Sequence, residues 1–244
     1  MSVLVVTGGS RGIGAAVCRR APHDVVVNYA GDAAAAESVV AEVRASGRRA
    51  IAVRADVSVE SEVDDLFAAA AELGPVTALV ANAGVTGEVR GRVDEVPAEA
   101  MRRVLEVNVL GVFHCLRAAV RRMSTRHGGA GGAIVAVSST AAKRGSPGEW
   151  AHYAASKAAV ETLAYGLALE VAAEGVRVNT IAPGVVRTEL HAAAGDPGRP
   201  DRLGAVIPIG RAGEPEEIAD GILWLLGPQA SFVTGAVLPV SGGF

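Results

Sequence analysis

Lysine is nearly missing from this chain: of 23 basic side chains only Lys143 and Lys157 are lysines, and arginine supplies the rest. Cysteine is confined to Cys18 and Cys115, with no C-x-x-C pair and no His/Cys cluster at metal spacing. That excludes a disulfide scaffold and a structural zinc site. Aromatic residues make up 4% of the chain, and the formal charge of −3 is spread without long blocks of one sign, so no nucleic-acid footprint is expected. No stretch approaches the roughly 20 apolar residues that cross a bilayer. The start, Met1-Ser2-Val3-Leu4-Val5-Val6-Thr7, has no basic leader ahead of its apolar residues and does not read as a signal peptide. A soluble, cytoplasmic protein is expected.

What is present is a core. Half of the 244 residues are apolar, enough for one large domain over residues 1–244. Short β-branched runs alternate with Ala-rich helical stretches. Val3–Val6, Val25–Asn28, Ala50–Arg54, Ala78–Ala81, Ala133–Ser138, Val176–Ile181 and Val237–Val240 read as strands. Most are continuously apolar, as in a parallel sheet covered on both faces. Helices are expected near Ile13–Arg20, Ala33–Ser46, Glu60–Leu73, Pro97–Arg126, Tyr153–Ala173 and Pro215–Leu226, with Gly47, Gly74 and Gly175 closing three of them. Such alternation specifies an α/β fold, a Rossmann-type doubly wound parallel sheet of seven strands in the order 3-2-1-4-5-6-7, with helices on both faces. Ligands of such sheets bind at the carboxyl ends of the strands.

At the first such end lies Thr7-Gly8-Gly9-Ser10-Arg11-Gly12-Ile13-Gly14. Gly8 and Gly12 let the backbone turn and approach a ligand, Gly14 lets the helix pack on the sheet, and the helix N-terminus faces a pyrophosphate. The spacing is G-x-x-x-G-x-G. The same residues also fit G-x-S-x-G, the elbow of a serine hydrolase with Ser10 as nucleophile, but only Met1–Thr7 precede it, leaving no room for the loop that builds an oxyanion hole. Farther on, Tyr153 and Lys157 stand four residues apart, on one face of a helix. A neighbouring ammonium favours phenolate and is expected to lower the tyrosine pKa from about 10, so that the phenol exchanges a proton with a carbonyl or alcohol oxygen. Upstream, Ile134–Val137 is a strand ending in Ser138 and Ser139.

The glycine loop, the serines and the Tyr153/Lys157 pair, in this order, resemble the short-chain dehydrogenase/reductase family across essentially the whole chain. Asp56-Val57, Asn82-Ala83-Gly84, Asn108, Pro183-Gly184 and Ser241-Gly242-Gly243 extend the match. The resemblance implies that Tyr153 is the general acid for reduction or base for oxidation. It implies that Lys157 lowers the tyrosine pKa and bonds the nicotinamide ribose, that a serine orients the carbonyl, and that Asn108 holds a water linking Lys157 to solvent. The family's usual interval of thirteen residues before the tyrosine selects Thr140, whereas its interval of six before a glycine selects Ser139, counted from Gly145. A one-residue insertion within 146–152 reconciles the two and makes Ser139 the catalytic serine, with Ser138 and Thr140 as the alternatives.

The implied cofactor contacts are Gly8, Ser10, Arg11, Gly12, Ile13 and Gly14 in the loop, and Asn28 at the end of the second strand. Asp56 and Val57 belong to the adenine side, as do Asn82, Ala83 and Gly84. Pro183, Gly184, Val186 and Thr188 meet the nicotinamide and pyrophosphate. The second strand ends Val27-Asn28-Tyr29-Ala30, without the acid that holds the ribose 2′-OH of NAD. Arg11 is placed to meet a 2′-phosphate, and Asp32 reads as the cap of the next helix. NADP(H) is therefore the expected cofactor, with NAD(H) as an alternative and no metal. His152 is expected to face solvent, His114 to pack, and both cysteines to be inert. The expected protein is an NADP-preferring reductase or dehydrogenase of a ketone, aldehyde or secondary alcohol, acting as a homodimer or homotetramer without nucleic-acid or membrane partners. Reductases of 3-oxoacyl carrier proteins supply one candidate substrate class, sugar alcohols and secondary metabolites others. The other class of function is a non-catalytic NADP sensor or scaffold, disfavoured because such proteins lose the tyrosine or the lysine.

Overall fold

The apolar runs do form strands. In the computed structural model, which describes residues 2–244, the strands are β1 (Val3–Val6), β2 (Asp24–Tyr29), β3 (Ala50–Arg54), β4 (Val76–Ala81), β5 (Gly132–Val137), β6 (Val176–Pro183) and β7 (Val237–Val240). They make one parallel sheet in the order β3-β2-β1-β4-β5-β6-β7. All four residues of β1 are buried, because helices cover both faces of the sheet. Side chains alternate between two cores as the period of two requires: Val5, Leu79 and Ile134 pack toward Phe67 and Met123, while Leu4, Val80 and Val135 pack toward Val17, Val40 and Ile222.

The connecting helices are α1 (Gly12–Arg20), α2 (Ala33–Ala45), α3 (Glu60–Leu73), α4 (Ala98–Leu105), α5 (Gly111–Met123), α6 (Ala141–Arg144), α7 (Ala151–Val171), α8 (Glu189–Ala193), α9 (Arg199–Gly204) and α10 (Pro215–Leu226). Helix α1 stops at Arg20, just ahead of Pro22. Asp32 caps α2 by accepting from the Ala35 N–H at 2.9 Å. Gly47, Gly74 and Gly175 all have positive φ. The stretch 97–126 is continuously helical from Ala98 to Met123, but not uniformly α. A π turn at Glu106–Leu110 separates α4 from α5, closed by the Gly111 N–H on the Glu106 carbonyl. Asn108 sits in that turn with its side chain wholly buried and tied to a neighbouring loop, and the extra residue of the bulge brings it there.

Strand order reverses between β1 and β4, so the loops leaving these two strands diverge and open a crevice at the carboxyl edge. Helix α7 runs beside β5 and β6 and delivers Tyr153 and Lys157 to that edge.

Candidate active site

The glycine loop is held open by its neighbours rather than by its own bonds. Gly8 and Gly12 adopt φ of +61° and +48°, which a side chain would strain. A Cβ on Gly14 would overlap the Gly8 carbonyl oxygen, so Gly14 serves close packing and does not itself reach the cavity. Asn28 is likewise absent from the cavity wall. Its amide oxygen accepts from the Gly8 N–H at 3.2 Å, its nitrogen donates to the Ala55 carbonyl at 3.0 Å, and its own carbonyl accepts from the Gly9 N–H at 2.8 Å. From the other side, Asn82 Nδ2 donates to the carbonyls of Thr7 and Gly8 at 2.9 and 3.0 Å. The Thr7 hydroxyl accepts the N–H groups of Asn82 and Ala83 at 3.0 and 3.1 Å. The first helical N–H groups of α1, with no side-chain cap at Arg11, remain directed to the crevice.

The crevice is a cavity of about 640 Å³, within the usual span of small-molecule and cofactor sites. Gly8, Arg11, Gly12 and Ile13 line one end, with Asn82, Ala83 and Gly84 beside them. Pro183, Gly184, Val186 and Thr188 close it from β6, and Ser139, Tyr153 and Lys157 form its floor. Ser10, Asp56 and Val57 stand off this wall. Asp56 accepts from the N–H and hydroxyl of Ser58 at 2.9 and 2.6 Å, and these bonds hold its carboxyl below the usual range against the cost of burial. Arg11 pairs with Asp32 at the mouth, both about half exposed. The Ala35 N–H, with Arg11, lowers the Asp32 carboxyl.

At the floor, Lys157 is 3% exposed and its Nζ donates to the Val137 carbonyl at 2.8 Å. It lies 5.7 Å from the Tyr153 ring centroid. The strand alternation separates the two serines: the Ser138 hydroxyl turns to Glu161 and the Lys157 carbonyl, whereas the Ser139 hydroxyl, which accepts from the Ala141 N–H at 3.2 Å, faces the Tyr153 phenol across the cavity floor. The expected lowering of the phenol pKa is not what this environment produces. Burial pushes Tyr153 up to about 12, with Ser139 pulling the other way, and burial brings Lys157 down to about 8. Desolvation disfavours both charged forms, and here it outweighs the mutual attraction.

Asn108 is not on the cavity wall. Its Oδ1 accepts from the Val85 N–H at 2.8 Å and its Nδ2 donates to the Val85 carbonyl at 2.9 Å and to Ser156 Oγ at 3.0 Å. Both amide protons are thereby used. Ser156 in turn donates to the Tyr153 carbonyl at 2.7 Å, so the π turn and the tyrosine-bearing helix share one chain of bonds. His152 corrects another expectation: it is buried, not solvent-facing, with Nε2 2.8 Å from the Thr86 carbonyl. It fastens the start of α7 to the loop after β4. His114 packs as expected, against the Val57 carbonyl at 3.1 Å. Both cysteines are buried and their thiols pushed up to about 12, which makes them unreactive.

The far end of the cavity is formed largely by the Ala/Gly/Pro-rich segment 188–207, which reads in the sequence as a substrate loop, together with Trp150 and Phe244, which the sequence did not single out. Trp150, Leu190, Leu203 and Phe244 give it an apolar wall. Arg199 grips Glu149 with two bonds of 2.7 Å and lies 4.6 Å over the Trp150 ring. The signals for these residues were Trp150, one turn ahead of Tyr153, and Arg199 and Arg202 in a Gly/Pro-rich loop. Their pairing is purely tertiary. Among the described residues there is no group of histidine, cysteine, aspartate and glutamate that would hold a metal ion, and no helix is long and apolar enough to cross a membrane.

Comparison with known proteins gives this geometry its relatives. The family model described as enoyl-(acyl carrier protein) reductase matches residues 8–244. An uncharacterized oxidoreductase of Escherichia coli (strain K12), YgfF, is 47% identical, with the whole of both chains aligned. The L-rhamnose 1-dehydrogenase (NAD(P)(+)) of Sphingomonas sp. (strain SKA58) is 39% identical over 98% of this chain and 94% of its own. A short-chain dehydrogenase from Burkholderia cenocepacia J2315, crystallised in complex with NADP, superposes with a TM-score of 0.89 at 33% identity, covering 99% of this chain and 97% of the other.

Proposed function

From the premise that the chain belongs to the short-chain dehydrogenase/reductase family, we propose that it is an NADP(H)-dependent oxidoreductase interconverting a ketone or aldehyde with an alcohol, with Tyr153 as general acid and base. The observation that carries this reading is the convergence of Ser139, Tyr153 and Lys157 on the floor of a crevice whose other end is a glycine cradle. The cradle fits a dinucleotide because Cβ atoms at Gly8 and Gly12 would crowd it, and because the α1 N-terminus faces it. The bound dinucleotide supplies or accepts the hydride. Ser139 fixes the substrate oxygen beside the phenol, and Tyr153 passes its proton to that oxygen during reduction. Lys157, with two N–H groups left after its bond to Val137, steadies the developing phenolate and reaches the ribose. The Asn108 side chain holds α7 and the loop at Val85 in place, and a water next to its turn relays protons from Lys157. A screen of NADPH consumption over ketones, aldehydes and β-ketothioesters tests the reading; no oxidation with any member while NADPH binds would favour the sensor alternative.

The preference for NADP(H) rests on Arg11 and on the lack of an acid at the end of β2. Asp32 is engaged as the cap of α2, and its pairing with Arg11 holds the guanidinium at the adenosine end of the cavity. Arg11→Ala is expected to weaken NADPH binding about tenfold, the scale of a charge-assisted bond, and to leave NADH within about twofold. Equal losses for both cofactors in a binding titration would count against the phosphate contact. The NADP bound to the Burkholderia neighbour supports the preference.

The pH dependence follows from the two shifts. Tyr153, pushed up to about 12, keeps its proton through the working range. Lys157 loses its charge as pH rises through about 8, and with it the support for the phenolate. Ketone reduction is therefore expected to be flat below pH 7 and to fall above about pH 8, whereas alcohol oxidation, which needs the phenolate, rises with pH. A reduction profile level to pH 10 would remove Lys157 from this role. Exposed Leu105, Leu110 and Phe113 by the π turn, with Tyr165 and Leu169 on α7, support assembly as a homodimer or homotetramer through these helices.

A further inference from the structure

The end of β5 is fastened to one face of α7 residue by residue. The Val137 carbonyl accepts from Lys157 Nζ at 2.8 Å. The Ser138 hydroxyl lies 2.8 Å from Glu161 Oε1 and 3.2 Å from the Lys157 carbonyl. The Ser139 hydroxyl faces the Tyr153 phenol on the cavity floor. Residues 153, 157 and 161 recur every four positions and so share a face. The first and third ties belong to groups already placed in the reaction; the second does not. A hydroxyl has one proton to give, and the shorter contact takes it to the carboxylate. Ser138 is 3% exposed, so this bond is shielded from competition by water, while Glu161 is half-buried and open to solvent on its other side.

We propose that Ser138 and Glu161 are positioning residues: their hydrogen bond sets the spacing between the end of β5 and helix α7, and so the mutual placement of the Ser139 hydroxyl, the Tyr153 phenol and the Lys157 ammonium. The proposal rests on the reductase reading. Two of the three ties already engage atoms that must stay free to bond substrate or cofactor, so they hold the frame weakly. Glu161 lies off the cavity wall, whereas Ser138 borders it, so the Glu161 variants probe the clamp without touching the cavity. Without the Ser138 hydroxyl the carboxylate is rehydrated and the fold survives, but the strand end relaxes. Displacement of reacting groups by about 1 Å costs up to roughly 10²-fold in rate.

The test compares Ser138→Ala, Glu161→Ala and Glu161→Gln in the full chain, with thermal midpoints to verify folding. For the best ketone of the screen, kcat is expected to fall about tenfold in both alanine variants while KM for NADPH stays within about twofold. Glu161→Gln, whose amide oxygen accepts the same hydrogen bond, is expected within about twofold of the parent. A second readout needs no turnover. With lysine labelled at 13Cε the chain has two resonances, from Lys143 and Lys157, and that of Lys157 is expected to move in the alanine variants and stay in Glu161→Gln, with Lys143 as internal reference. If the parent reduces no carbonyl yet the Lys157 resonance responds in this pattern, the reductase reading fails and the clamp stands. If the alanine variants keep the parent's kcat and resonance, or Glu161→Gln behaves as Glu161→Ala, the proposal is overturned.

Discussion

Tyr153→Phe is expected to lower turnover by roughly 10²–10⁴-fold, the contribution of a positioned general acid or base, and to leave NADPH affinity within about twofold. The substitution deletes one oxygen and keeps the ring. The aromatic packing and the helix bonds of residue 153, including its carbonyl with Ser156, are untouched. What disappears is the phenol proton that the proposed reaction delivers to the substrate oxygen, and the group that the Ser139 hydroxyl faces. Single-turnover reduction measured beside a cofactor titration separates the two quantities. Parent-like turnover in the variant would refute the assigned role.

Lys157→Met should trade activity for stability. The ammonium is 3% exposed, and burial lowers its pKa from 10.5 to about 8. The sign is that of a base whose charged form the fold disfavours. Below pH 8 the parent carries a cost on the order of 3 kcal/mol, and this cost shrinks as pH rises from about 8 toward 10.5. Methionine removes the cost but orphans the Val137 carbonyl, which returns about 1–3 kcal/mol. A net rise of up to a few degrees in the melting midpoint is expected at pH 7, vanishing between about pH 8 and 10 and turning into a loss above that, where the parent lysine no longer carries its cost and the Val137 carbonyl is still orphaned. Activity is expected to drop by roughly 10²-fold or more, with NADPH bound more weakly, unlike in Tyr153→Phe. A variant that melts lower than the parent at pH 7, or one that turns over normally, contradicts this account of the lysine.

Legibility in the sequence tracked how local the controlling interaction is. The strands, the glycine turn and the cap at Asp32 depend on neighbours within a few residues or on a simple period, and all were readable. The π bulge within the long helix at Ala98–Met123 was not, because Asn108 is drawn into it by Val85 and Ser156, which lie 23 and 48 residues away. His152 misled for a like reason. Polar and next to a pocket residue, it suggests exposure, yet the Thr86 carbonyl 66 residues earlier claims its ring nitrogen. The choice between Ser138 and Ser139 rested on counted intervals, whereas in the fold strand alternation sends the Ser138 hydroxyl to Glu161 and leaves that of Ser139 toward Tyr153.

The amino-acid order by itself determined the parallel doubly wound sheet, the position of its crevice, and the placing of one phenol and one ammonium on a common helical face. Each of these follows from periodicity and backbone sterics. Only the tertiary structure decided how those groups titrate, what closes the far end of the cavity, and which side chains brace the floor. Desolvation, ion pairing around Trp150 and the zipping of β5 to α7 arise from segments distant in the chain, whose mutual approach no local pattern encodes.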